Sequence, residues 1–252
     1  IAVATGFLGE HPREADSFSL LAIAPDGAAG LIAQDPTVQV LHAAPDVVAV
    51  DLAAGGATLA SDLGFGQITD ALQLPPGSYD IDILPAGSSD VLTTITTPAL
   101  EAGQRYLATA AGFLNPADGE GAFSVEYLVD GLVSDAESAA VQLVHYAPDV
   151  PPVDVGVVDG AAFTVLIEDF GYTDATDPMG VMLPAATTEV GVAIAGTGTP
   201  AVTFDVTAAA GQTAFGIVAG ALGASEEREG LRLIDVDTTA GLPWVTAAIF
   251  PN

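Results

Sequence analysis

Apolar and polar residues alternate in short runs along most of this chain. In segment 78–84, Tyr79, Ile81 and Ile83 alternate with Asp80 and Asp82, the period of two that turns one face of a strand to a core and the other to water. Comparable runs occupy 38–43, 48–53, 91–97, 106–111 and 123–129, separated by turn formers such as Ala44-Pro45-Asp46 and Gly55-Gly56. This spacing predicts about six or seven strands in a unit of roughly 100 residues, as in a β-sandwich. No helical period runs beyond a turn or two, and 61–70 is the one place where a short helix or 3₁₀ turn is expected.

The pattern repeats. Fifteen residues from Val38 (VQVLHAAPDVVAVDL) return from Val141 (VQLVHYAPDVPPVDV), with nine identities at an offset of 103. The match continues in order: Phe65-Gly66 with Phe170-Gly171, Leu74-Pro75 with Leu183-Pro184, Ala102-Gly103-Gln104 with Ala210-Gly211-Gln212, and Gly112 with Gly220. The fold class expected is all-β, with two tandem β-sandwich (immunoglobulin-like) domains and extra terminal strands. The divisions are 1–37 (a partial repeat of two strands and a linker), 38–130 (first sandwich), 131–140 (linker), 141–237 (second sandwich) and 238–252 (a strand resembling the first of a further repeat).

The terminal segments shape the functional reading. Gly6-Phe7-Leu8 matches Gly112-Phe113-Leu114, and Phe18-Ser19 matches Phe123-Ser124, so the N-terminal segment resembles the last two strands of a unit. Strands without partners present bare backbone groups and an apolar face. Phe7, Leu8, Phe18, Leu20, Trp244, Val245, Ile249 and Phe250 are therefore the candidate assembly residues. Strand donation between copies, docking within the chain and a longer tandem array are the three ways such strands could be satisfied.

The run from His42 to Asp51, together with Leu74-Pro75-Pro76-Gly77-Ser78-Tyr79 and Leu100-Glu101-Ala102-Gly103-Gln104-Arg105-Tyr106, resembles a bacterial family of unknown function, number 4397. Its members carry an H-A-S-P-D-A-P-x-V-D-V opening, an L-P-A-G-S-Y centre and an L-x-A-G-x-x-Y close. The second copy keeps His145-Tyr146-Ala147-Pro148-Asp149, but Leu183-Pro184-Ala185 lacks the following Gly-Ser-Tyr. The resemblance implies secreted or surface-attached proteins with repeated β-domains, and it carries over no catalytic residue.

Charge narrows the partners. Thirty-three acidic residues face four basic ones, all arginine (Arg13, Arg105, Arg228 and Arg232), for a formal charge of −29. Such a surface repels phosphate backbones and anionic lipid, so nucleic acid is not expected as a partner. No apolar run reaches the roughly 18–20 residues of a membrane span. Without cysteine there are no disulfides, thiolate chemistry or Cys-based zinc sites. A chain that begins at Ile1 reads as processed or as part of a longer polypeptide.

Candidate chemistry centres on the repeated turn elements, His42, Pro45, Asp46 and Asp51 in one unit and His145, Pro148, Asp149 and Asp154 in the other. A His four residues before an Asp could hold a metal or act as a base. The simpler expectation is that His ends a strand and Asp caps the turn through backbone N–H groups. Ca²⁺ would need further converging oxygens, and no D-x-D-x-D-G loop exists. No cofactor is expected, with Ca²⁺ the one ion considered. Thr-rich 93–97 and 197–203 would suit O-linked glycans if exported. The expectation is a non-enzymatic, extracellular or cell-surface structural subunit that assembles with copies of itself into a fibre or array. The alternative is an adhesive or carbohydrate-binding module; a hydrolase is the third reading.

Overall fold

A computed structural model describes residues 2–5, 19–133, 135–223, 225 and 227–252. The protein is all-β and sandwich-like, with no helix among the described residues. The first unit contains β4 (Thr37–His42), β5 (Val50–Ala54), β6 (Ala57–Leu63), β7 (Leu72–Gln73), β8 (Asp80–Pro85), β9 (Thr93–Thr96), β10 (Arg105–Ala111) and β11 (Ser124–Val129). One sheet runs β11-β10-β4-β7 and the other β6-β5-β8-β9. Val50, Leu52, Leu63, Ile81 and Ile83 of the second sheet meet Val40, Phe123 and Val125 of the first. The expected short helix at 61–70 is instead the end of β6 and a turn. Asp62 takes a left-handed φ of 55° there, which stops regular pairing.

The second unit repeats this plan with β12 (Ser138–His145), β13 (Val153–Asp159), β14 (Ala162–Phe170), β15 (Val181–Pro184), β16 (Thr187–Ile194), β17 (Pro200–Thr207), β18 (Thr213–Ala219), β19 (Arg232–Asp237) and β20 (Val245–Ile249). Its sheets run β15-β12-β18-β19-β20 and β14-β13-β16-β17. In both units the first strand lies parallel to a later one, β4 on β10 and β12 on β18. Equivalent hydrogen bonds correct one sequence pairing. Gly66 donates its N–H to His42 O, and Thr173 donates to His145 O. Leu63-Gly64, not Phe65-Gly66, is therefore the partner of Phe170-Gly171. A matching Phe-Gly dipeptide had concealed a two-residue shift in loop length.

The four sheets stack into one body. Strands of an outward-facing sheet should be buried on one side only, yet β4, β10 and β18 are buried on both, β18 at all seven residues. The second face of each is covered by the other unit. Leu41, Leu107, Ala111 and Leu128 of the first unit form one core with Val144, Phe215, Ile217, Ile234 and Val236 of the second. Leu132, which falls in the expected linker, is enclosed in that same core at 2% exposure.

The N-terminal strands β1 (Ala2–Thr5), β2 (Ser19–Ile23) and β3 (Ala29–Ala33) form a separate three-stranded antiparallel sheet. Its pairing of Thr5 with Ser19 corresponds to Ala111 with Ser124 and to Ala219 with Arg232. The sheet β1-β2-β3 thus has the order and direction of β18-β19-β20. Phe7, Leu8 and Phe18 lie outside the described residues. At the other end, the segment expected to resemble a first strand takes a different place. β20 is an edge strand antiparallel to β19, not a central one parallel to its neighbour. Asn252 then crosses to the facing sheet, donating its N–H to Thr203 O at 2.9 Å.

Candidate functional site

The repeated His-Pro-Asp elements take part in the fold's own hydrogen bonding. His42 is buried; its Nδ1 accepts the Ala44 N–H at 3.3 Å and its Nε2 lies 3.2 Å from Val48 O. An accepting Nδ1 leaves the proton on Nε2, which donates to that carbonyl. Burial lowers the pKa of His42, and that of His145 likewise, so both rings stay neutral. His145 Nδ1 accepts the Ala147 N–H, also at 3.3 Å, while its buried Nε2 has no partner among the described residues. The rings pack on Phe65 and Phe170 respectively.

The aspartates stitch distant backbone. Asp46 accepts the N–H groups of Leu114 and Asn115, and Asp149 accepts that of Leu222. Pro45 and Pro148 thus place each carboxylate beneath the loop that follows β10 or β18. Asp51 accepts from Asp62 (2.8 Å) and Gly87 (2.9 Å), and Asp154 accepts from Asp169 (3.0 Å) and Gly196 (2.9 Å). Asp62 and Asp169 are the left-handed residues where the ladder shifts register, and the carboxylate takes the N–H that the bulge frees. Those backbone donors hold both carboxyls below the usual pKa range. Oxygens so occupied are committed to turns and bulges, which accounts for the repetition of the motif without recourse to a metal.

A second set of contacts joins the units reciprocally. Glu229 N–H donates to Pro45 O and Gly121 N–H donates to Pro148 O, both at 2.8 Å. The participants are equivalent residues, so the units meet as two copies in a two-fold dimer would. Arg228 forms a bidentate pair with Glu120 at 3.1 and 3.3 Å and covers the Phe113 ring at 4.1 Å. Arg232 lies over Phe65. Surface ion pairs are screened, whereas each large apolar side chain removed from water contributes about 1.5–3 kcal/mol. The shared core therefore dominates the seam.

Trp244 belongs to this seam. It is 2% exposed, edge-on to Phe215 with centroids 5.6 Å apart, and its backbone N–H donates to Gln39 Oε1 at 2.7 Å. Gln39 Nε2 donates to Thr69 O at 2.7 Å. This enclosure removes the chain's one tryptophan from the assembly strand on which it was expected, and from any glycan platform. Val245 and Phe250 remain about 60% exposed, while Ile249 packs against the second sandwich.

The second sandwich is hollow. A cavity of ≈ 430 Å³ runs between its sheets from Leu166 and Met182, both about half exposed on the edge strands, to Asp235 on β19. Its wall is apolar except for Asp235, Gln212, Thr188 and Thr207. Burial, aided by the neighbouring Asp237 charge, pushes the Asp235 pKa up to about 6. The matching space in the first sandwich is only ≈ 50 Å³.

Strand register explains the difference. Tyr127 pairs with Ala108 on β10, and Asp235 pairs with Gly216 at the same place on β18. Tyr106 and Ala214 each pair with the first valine of the repeated motif, Val38 and Val141. Tyr79, four residues before the Ile83 that pairs with Leu52, matches Thr188, four before the Val192 that pairs with Val155. Leu100 matches Ala208, each donating its N–H across the corresponding turn. Three tyrosines and a leucine are thus replaced by Asp, Ala, Thr and Ala. Asp235 was missed from sequence because it lies outside the shared motif; its signal was a difference between the repeats, at a position where one keeps an aromatic ring.

Fold and seam define a sandwich-like β-protein whose two units follow one plan, in which the repeated motif takes part in turns and bulges. Residues 36–156 match the model of a family described as a domain of unknown function, DUF4397. The match begins one residue before β4 and ends within β13. No curated protein matches the chain.

Proposed function

We propose that this is a non-catalytic, extracellular structural subunit that associates with copies of itself through its N-terminal sheet. The observation that carries the reading is the edge of β1, which no described strand pairs. In both sandwiches the equivalent strand, β10 or β18, is covered by a parallel first strand. No described residue covers β1 in that way. Val3 and Leu20 are 45% and 37% exposed on this sheet, and a flat, apolar edge is a template for another strand. The shared core supports the same reading, since a subunit whose units cannot flex independently transmits load along its length.

The variant Val3→Lys/Leu20→Lys places a charge on each face of the sheet and leaves both sandwiches untouched. Light scattering and negative-stain microscopy should show oligomers or filaments for the parent chain and monomers for the variant. A monomeric parent at high concentration, or oligomers that survive the double substitution, would overturn the proposal.

A further inference from the structure

The hollow of the second sandwich has the dimensions of a ligand site, since pockets for small molecules span about 300–1,000 Å³. Its lining offers an apolar body a long, largely featureless wall, with Val155, Val157, Ile167, Val190 and Leu233 among the contributing side chains. Asp235 is the one titratable group on that wall, and no described side chain or backbone group hydrogen-bonds it. A carboxylate against apolar surface calls for a counter-charge.

The described residues supply no such charge. Arg105 is paired with Asp130, Arg228 with Glu120 and Arg232 with Glu229; Arg13 lies outside the described residues, and there is no lysine. Asp237, two residues along the same strand, adds a second negative charge. The net charge of −29 draws cations toward the protein and repels anions. We propose that the second sandwich binds a small apolar molecule carrying a single basic nitrogen, its body between the two sheets and its nitrogen paired with the Asp235 carboxylate. The first sandwich, plugged by Tyr79, Tyr106 and Tyr127, does not bind it. This site is independent of the N-terminal sheet.

The test uses the intact chain and three probes of one length, decylamine, decanol and decanoate, titrated by calorimetry below their micellar concentrations. Near pH 8 decylamine should bind one-to-one and about tenfold or more tighter than decanol, the difference expected of a charge-assisted hydrogen bond, with decanoate weakest. Because only Asp235 titrates on the wall, with Asp237 the charge acting on it, the preference for the amine should fade as pH drops through about 6.

Asp235→Asn should abolish the preference and leave decanol binding unchanged. Asp235→Tyr, which places at this position the ring that Tyr127 supplies in the first unit, should abolish binding of both. Amine binding that persists in Asp235→Asn would mean attraction to the acidic surface only. Equal affinity for amine and alcohol, a response to sodium or magnesium ions alone, or no binding by any probe would each overturn the proposal.

Discussion

The inner faces of the first sandwich carry Tyr79, Leu100, Tyr106 and Tyr127, where the second has Thr188, Ala208, Ala214 and Asp235. The backbone plan and parallel pairing are the same, as are the stitching aspartates. The contents differ, so one sandwich is full and the other encloses ≈ 430 Å³. A second asymmetry concerns ion pairing. Arg105 and the buried Asp130 form a 2.7 Å pair in the first unit. At the matching positions of the second, Thr213 and Thr238 share a hydroxyl hydrogen bond of the same length. Backbone geometry is therefore set by the motif that the repeats share, and interior chemistry by the residues in which they differ.

The seam itself is nearly symmetric until it reaches the chain's C-terminal segment. Trp244 caps the Gln39 side, and no tryptophan caps the Gln142 side, where Gln142 Nε2 donates to Thr176 O and the buried Oε1 has no partner. After β19 the segment carrying Trp244 folds back across the seam; after β11 the chain continues into β12.

The strongest way to break this comparison is Trp244→Ala. Loss of the ring from a closed core should cost about 3–5 kcal/mol. Because the core is shared, both sandwiches should unfold in one transition shifted to lower denaturant. A change below about 1 kcal/mol in urea titration would show that the seam is not a common core.

A smaller, more discriminating effect comes from the two glutamines. Gln39→Met strands the Trp244 backbone N–H and the Thr69 carbonyl, and should cost about 2–3 kcal/mol. Gln142→Met removes an unpartnered oxygen with a single hydrogen bond, and should cost under about 1 kcal/mol. Equal costs, measured by the same titration, would erase the asymmetry.

A third effect is pH-dependent. In the folded protein the Asp235 pKa is raised to about 6 from an ordinary value of 3.8. Folding therefore favours the protonated carboxyl, and the penalty for burying the charged form is complete above about pH 6 and absent below the ordinary value. Asp235→Asn should stabilise the protein by on the order of 2 kcal/mol near pH 8. That advantage should vanish near pH 3, as read by thermal melts across the range. The same stabilisation at both pH values would mean that charge burial is not its source.

Much of this was legible beforehand. Alternation marked strands such as β8, where Ile81 and Ile83 point inward. The repeated Pro-Asp elements were expected to cap turns, and they do, although Asp46 reaches a loop 68 residues away, a distance that no local pattern encodes. Thr213–Ala219 lacks polar alternation altogether, which was a readable sign of a strand buried on both faces. The pairing of Phe-Gly dipeptides misled, because identity of letters outweighed a two-residue loop difference that only hydrogen-bond partners reveal.

Sequence alone determined that the chain is all-β, duplicated and strongly acidic, because strand period, repetition and charge are local or additive properties. Tertiary structure alone decided that the two units share one core, that Trp244 closes their seam, and that the second sandwich stays open around Asp235. These depend on which apolar face meets which and on how much volume facing side chains leave between them. A pattern of burial states that a residue must leave water; it does not name the surface it will be buried against.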